Sequence, residues 1–281
     1  MDFRERVMEL KHQKGVLIAA HRGTSGGNII NNTIPAYENA LRHKADILEI
    51  DAAMSCDGVF YAFHDGIEAV LLGQTINIRN FNSSFIDTLY LHNPSMEITS
   101  ERPNRLEHVF EHLRGRCLIN IDRSFFYWKE IITFINRMNI GNQIIIKSAP
   151  SPELLQILEN MAPKLAYMPI LFDPSEEECM KNYRVNYCMA ELVFRKLDSP
   201  LLADDFIKKL KTRGIMLWGN AINLNDWNIL SGGKDDYHAI IDDPEQNWGW
   251  FVDKGFDVIQ TDWPMLLREY LDNRLNNRGL L

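Results

Sequence analysis

The sequence has little of what would mark several large classes of protein. It holds four cysteines, Cys56, Cys117, Cys179 and Cys188, far apart and with no C-x-x-C pair. That spacing excludes a small disulfide framework and a cysteine zinc site. No basic block of five or more residues occurs, and 30 Lys+Arg against 38 Asp+Glu leave a formal net charge of −8. Binding to nucleic acid through its phosphate backbone is therefore not expected. No run approaches the roughly 18 apolar residues that span a membrane. Residues Met1 to Lys14 are charged throughout, and the apolar run Val16 to Ala20 is too short for a signal peptide. Low-complexity segments, repeats and a Gly-x-Gly-x-x-Gly turn are likewise missing. What is present is 281 residues with 46% hydrophobic and 24% charged, long enough to bury a core without a disulfide or metal staple. The expectation is a cytoplasmic enzyme acting on a small molecule.

Short β-branched apolar runs alternate with longer helical patterns, which signals βα units and a parallel sheet. Strands are predicted at Val16–Ala20, Ile47–Ala53, Leu118–Asp122, Gln143–Lys147, Ala166–Leu171, Tyr187–Val193, Gly214–Trp218 and Val258–Thr261. Runs such as Ile144-Ile145-Ile146 are apolar on both faces, as strands between covering helices and a barrel core must be. Helix starts are marked by Thr33-Ile34-Pro35, Ser151-Pro152, Ser199-Pro200 and Asp262-Trp263-Pro264. Eight units of about 35 residues fit a (β/α)8 TIM barrel, an α/β fold in one domain over residues 1–281. A doubly wound open sheet is the competing fold. The one long interruption, Asp65 to about Pro103, is polar, and a segment that long is more often functional than slack.

Polar residues cluster at the C-terminal ends of these strands, where barrel enzymes place their chemistry. The first strand runs into His21-Arg22-Gly23, the second carries Glu49-Ile50-Asp51, and the third ends in Asn120-Ile121-Asp122. Residues two apart on a strand share a face. Glu49 and Asp51 therefore point together into the barrel, with Leu48 and Ile50 toward the helices. With Asp122 from the neighbouring strand they would suit a hard divalent cation. Alternatively they pair with Arg or Lys inside the barrel. His21 and His64 each follow an apolar strand and adjoin a polar residue, which suits a general acid–base pair, whereas the other six histidines read as structural. Arg22 could grip a phosphate bidentately.

These pieces, in their order, resemble a known family. His21-Arg22-Gly23, Asn32-Thr33-Ile34-Pro35-Ala36-Tyr37, Ala45-Asp46-Ile47-Leu48-Glu49-Ile50-Asp51, Asp57-Gly58, His64-Asp65, Pro103-Asn104-Arg105-Leu106-Glu107 and Gly255-Phe256-Asp257-Val258-Ile259-Gln260-Thr261-Asp262-Trp263-Pro264 are similar to motifs of the glycerophosphodiester phosphodiesterases. The resemblance runs from residue 17 to residue 264. It implies a TIM barrel that hydrolyses glycerophosphodiesters to sn-glycerol 3-phosphate and an alcohol with one Ca2+ or Mg2+. By match, Glu49, Asp51 and Asp122 become metal ligands, His21 and His64 the acid–base pair, and Arg22 the phosphate binder. His64 is expected as the acid and His21 as the base, with water or the glycerol 2-hydroxyl attacking. Trp218 resembles the family's strand-seven tryptophan and is expected against the glycerol. Residues 66–102 correspond to an insertion that caps the barrel mouth and shapes the alcohol pocket.

The departures also carry expectations. Ser124 stands where the family has lysine, and Lys147 on the adjacent strand is expected to supply the missing charge toward phosphate. Asn31 replaces a glutamate near His21, and Asp122 is a methylene shorter than the usual glutamate. Glu191 is a further inward candidate, either lining the site or in a buried ion pair. Asp262 is expected to cap the last helix or to touch the ligand. Two other functions fit the same residues: a phospholipase D-like barrel that forms a cyclic phosphate, and a barrel that binds phosphodiester headgroups without turnover.

Overall fold

In the computed structural model, which describes residues 2–225 and 227–277, eight parallel strands close into a barrel. They are β1 (Leu17–Ala20), β2 (Ile47–Met54), β3 (Leu118–Asp122), β4 (Ile144–Ser148), β5 (Ala166–Leu171), β6 (Met189–Leu192), β7 (Met216–Asn220) and β8 (Val258–Thr261). β1 pairs with both β2 and β8, which closes the ring. The expected TIM barrel is what forms, with strand ends shifted by one or two residues.

One of those shifts matters. The strand expected at Gly214–Trp218 lies at Met216–Asn220. Gly214 is taken by the turn that ends the preceding helix: its φ is 68° and its amide bonds to Lys211 O. Sliding the strand forward moves Trp218 from its mouth to its middle.

The outer layer is α2 (Ile34–Arg42), α3 (Leu106–Leu113), α4 (Trp128–Met138), α5 (Pro152–Met161), α6 (Asp204–Thr212), α7 (Asp236–Ile241), α8 (Trp248–Lys254) and α9 (Pro264–Asn277). After β5 the covering element is a 3-10 helix, Pro174–Asn182. Thr33 caps α2 through Ala36 N as its position predicted, whereas Ser151 precedes α5 without a capping bond. Leu48 and Ile50 lie in the apolar layer between barrel and helices, as alternation along β2 requires.

A helix that the polar N-terminal sequence concealed, α1 (Phe3–Lys14), starts in a capping box between Asp2 and Glu5. Its buried Phe3 and Val7 pack into the lower barrel with Leu17, Ile47, Leu118, Ile145, Met189 and Val258, closing that end. The spacing 3, 7, 10 is one helical stripe. Between Met54 and Leu106 the chain builds a small lobe. Phe60–Ala62 pairs antiparallel with the end of β2, and Asn104–Arg105 pairs with Phe60–Ala62. Tyr61, Phe63, Leu71, Leu72, Ile78, Ile86, Leu89 and Leu91 form its own apolar cluster.

Phe3→Ala should cost about 3–4 kcal/mol by emptying the plug, seen as a lower urea midpoint at unchanged slope. An unchanged midpoint would mean that α1 does not fold as part of the barrel.

Candidate active site

The lower barrel is apolar and the upper barrel is not. Going up β2, Ile47 is followed on the same face by Glu49 and then Asp51, both almost fully buried. The β2–β3 register sets Asp51 directly beside Asp122. Carboxylate oxygens of Glu49, Asp51 and Asp122 all lie within 4.8 Å of one another. Burial, reinforced by Asp51 and Asp122, pushes the Glu49 carboxyl up to about 8.

Two cations answer these acids. Arg22 Nε is 2.8 Å from Asp51 Oδ2, and the Arg22 amide donates to Glu49 Oε2 at 2.9 Å. Lys147 Nζ lies 3.0 Å from both Asp122 Oδ2 and Glu191 Oε2. Lys147 is 2% exposed, so its ammonium is locked between two carboxylates rather than open to the cleft. It holds Asp122 below the usual carboxylate range against the opposing effect of burial. Glu191, which also accepts from Asn220 Nδ2 at 2.8 Å, is a member of that buried ion pair. The four carboxylates Glu49, Asp51, Asp122 and Glu191 thus meet two cations, leaving a formal −2 when all four are ionised, as cation binding would require, and −1 while Glu49 keeps its proton. An all-oxygen donor set with that residual charge fits a divalent cation. Asn32 braces the set, donating to Asp51 Oδ2 at 2.8 Å and accepting from Tyr37.

The two imidazoles flank the acids in different surroundings. His21 continues β1, its Nδ1 2.8 Å from Asp262 Oδ1. Burial alone would lower its pKa, but the bond to Asp262 and the charge of Glu49 raise it. His64 follows Phe63, whose amide bonds to Asp51 O. Burial, with Arg22 and Arg123, lowers its pKa despite Asp51 and Asp65. Arg22 and Arg123 both hold φ of 56°, the left-handed region that few non-glycine residues adopt and that concentrates at functional sites. Gly23 is held to glycine by a φ of 79° and because a Cβ there would come within 2.7 Å of the Ala36 carbonyl carbon.

Beside His21 opens a cavity of about 680 Å³. Its polar side is His21, Arg22, Thr24 and Asn31, and its apolar side Leu224, Trp263, Met265 and Leu266. Thr24 Oγ1 and Asn31 Oδ1 are buried there without a hydrogen-bond partner. Among the described residues, none that lines it comes from 66–102; that lobe reaches the mouth through Arg79, which pairs with Asp65. Trp218 is fully buried in the lower core, its indole N–H bonded to Gln260 at 3.1 Å. It forms floor rather than wall.

Asp262 was visible in the sequence only as a helix cap or ligand contact. Its partner His21 is 241 positions away, and no local signal could announce that. Asp236, which holds the Asp262 amide at 2.9 Å and also takes Thr261 and Trp248, lies at the end of a polar stretch, 231–236, that the sequence places on the active face without giving this residue a role.

Comparison with known proteins bears on the fold. Residues 167–271 match a family described as a domain of unknown function (DUF4996). A 50-residue segment is 44% identical to mouse lysophospholipase D GDPD3, covering 18% of this chain and 15% of that protein. A segment of the same length is 44% identical to a glycerophosphodiester phosphodiesterase of Bacillus subtilis (strain 168), covering 18% and 17%. These matches span about a sixth of the curated relatives' length. By fold, the chain is similar to a glycerophosphoryl diester phosphodiesterase from Parabacteroides distasonis, with TM-score 0.77, 18% identity, and 92% and 87% of the two chains covered. An Oleispira antarctica phosphodiesterase solved with the product sn-glycerol-3-phosphate gives TM-score 0.66 at 16% identity, covering 91% and 96%. The barrel fold of glycerophosphodiester phosphodiesterases is shared over nearly the whole chain. No described helix is long and apolar enough to cross a membrane.

The acidic cluster sets a pH dependence. Glu49 ionises near 4.5 when unfolded and near 8 when folded. Between those values the folded chain holds a proton that the unfolded chain has lost, so stability falls as pH rises through the window. In EDTA the melting temperature should drop by roughly 5–10 °C between pH 5 and 8. Asp236, pushed up to about 7 by burial, acts in the same direction. Added Mg2+ or Ca2+ should remove the Glu49 part. A melting temperature that rises across this window, or ignores the ions, would contradict the cluster.

Proposed function

We propose that the chain hydrolyses glycerophosphodiesters to sn-glycerol 3-phosphate and an alcohol, with one divalent cation held by Glu49, Asp51 and Asp122. The observation that carries this reading is the meeting of that under-neutralised carboxylate trio with Arg22 and two unlike imidazoles at the C-terminal mouth of the barrel. A bound cation would offset negative charge developing on the phosphoryl oxygens. Arg22, fixed by Glu49 and Asp51, offers its remaining N–H groups to the phosphate. Asp262 fixes the ring of His21, leaving Nε2 for proton transfer.

The fields around the pair point to the division of labour. Surroundings that push two groups apart assign acid and base. His21, raised, is the group that holds a proton for the leaving alkoxide. His64, lowered, is the group that takes one from the attacking hydroxyl. This exchanges the parts expected for the two histidines from the sequence. Thr24 Oγ1 and Asn31 Oδ1, both without partners, suit the hydroxyls of a glycerol seated beside His21.

His21→Ala and His64→Ala should each lower turnover of glycerophosphocholine by about 10²–10⁴-fold, with melting temperatures near the parent's. EDTA should abolish turnover, and Ca2+ or Mg2+ restore it. A p-nitrophenyl phosphodiester, whose leaving group needs no acid, should rescue His21→Ala and not His64→Ala. Two active histidine variants would end the proposal.

A second reading concerns the substrate's size. The apolar side of the His21 cavity (Leu224, Trp263, Met265 and Leu266) exceeds what a glycerol needs and suits an acyl chain on it. One relative is named a lysophospholipase D. If lysophospholipids are substrates, Leu224→Asp should lower kcat/KM on lysophosphatidylcholine by roughly tenfold or more while leaving glycerophosphocholine hydrolysis nearly unchanged. Equal effects on both would remove the chain from the cavity.

A further inference from the structure

The cations on the His64 side of the mouth are matched in the opposite sense to those around the acids. Asp65 Oδ1 takes Arg123 Nε at 2.8 Å and Nη2 at 2.7 Å, and its Oδ2 takes Arg79 Nη1 at 3.3 Å. One buried carboxylate thus serves two guanidiniums, and the group carries a formal +1. Both guanidiniums remain partly open to the mouth. Arg79 lies over the rings of Phe126 and Tyr127, at 5.2 and 5.1 Å from their centroids, and Arg123 over Phe126 at 5.3 Å. Their planes are held before any ligand arrives, so little rotamer freedom is left to lose.

Arg123 has the better placement of the two. It follows Asp122, and its left-handed backbone carries the side chain out of the line of β3 toward His64. Its Nη1 stands 3.4 Å from His64 Nε2, too long for a strong bond, so that donor is held only weakly. A fixed guanidinium with a weakly held N–H and surplus positive charge, beside an imidazole of the reaction pair, is suited to an oxyanion.

We propose that Arg123 binds a non-bridging oxygen of the substrate phosphodiester on the His64 side, with Asp65 and Arg79 as its positioning partners. The phosphate would then be gripped from two sides, by Arg22 and by Arg123. The proposal rests on the phosphodiesterase reading above. It gives the surplus charge at the mouth to an arginine that no strand pattern picks out, and leaves Lys147 to balance the acids.

The test is a set of three variants, Arg123→Gln, Arg123→Lys and Arg79→Gln, assayed in Mg2+ on glycerophosphocholine and titrated calorimetrically with inorganic phosphate. Arg123→Gln is expected to lower kcat/KM by about 10²–10³-fold and to weaken phosphate binding roughly tenfold or more. Arg123→Lys should recover part of both, since it keeps the charge and loses the fork. Arg79→Gln should act less, and chiefly on KM. If Arg123→Gln fails to fold, Arg123→Lys and Arg79→Gln are compared with the parent in its place. Phosphate affinity and kcat/KM within twofold of the parent in the folded Arg123 variants would overturn the proposal. So would lost activity with phosphate affinity intact, which would mark a merely structural arginine. Should the parent hydrolyse no diester, the phosphate titration still decides whether Arg123 holds the anion, while the hydrolytic reading falls separately.

Discussion

Four carboxylates in the upper half of a closed barrel, three of them buried, must be balanced by groups of the chain itself, and much of the chain is arranged around that requirement. A buried charge without a partner costs several kcal/mol. The chain supplies two: Arg22 against Asp51, and Lys147 between Asp122 and Glu191. It stops short of full neutrality. The residual charge is what makes the site receptive to a cation, and the strained backbone of Arg22 is part of its cost. Asn32 and Tyr37, themselves buried, hold Asp51 in place with neutral groups that leave this balance untouched.

The mouth is asymmetric in charge. On the acid side carboxylates outnumber cations, and on the Asp65 side guanidiniums outnumber carboxylates. A phosphodiester bridging the two would meet attraction from the bound ion on one flank and from arginine on the other. The imidazoles differ in the same setting: burial lowers both, and His21 alone is raised overall, by its bond to Asp262 and the charge of Glu49, whereas the carboxylates near His64 are opposed by Arg22 and Arg123.

Much of this was legible in the sequence for physical reasons. A period of two puts Glu49 and Asp51 on one face, and a parallel neighbour at matching height brings Asp122 beside them. Motif order pointed to His21 and His64. Other features escaped. The pairing of His21 with Asp262 depends on barrel closure, which joins β1 to β8. The reach of Arg123 depends on a left-handed turn that residue type does not announce. The burial of Trp218 turned on a two-residue slide set by Gly214. Helix α1 was hidden by its own charges, although Phe3, Val7 and Leu10 trace a stripe.

The plug formed by that helix has a kinetic corollary. Phe3 and Val7 pack beneath a lower barrel already filled by Leu17, Ile47, Met189, Trp218 and Val258, so the site opens at the upper mouth and not through a bore. A substrate entering by that mouth would have its products leave by it too.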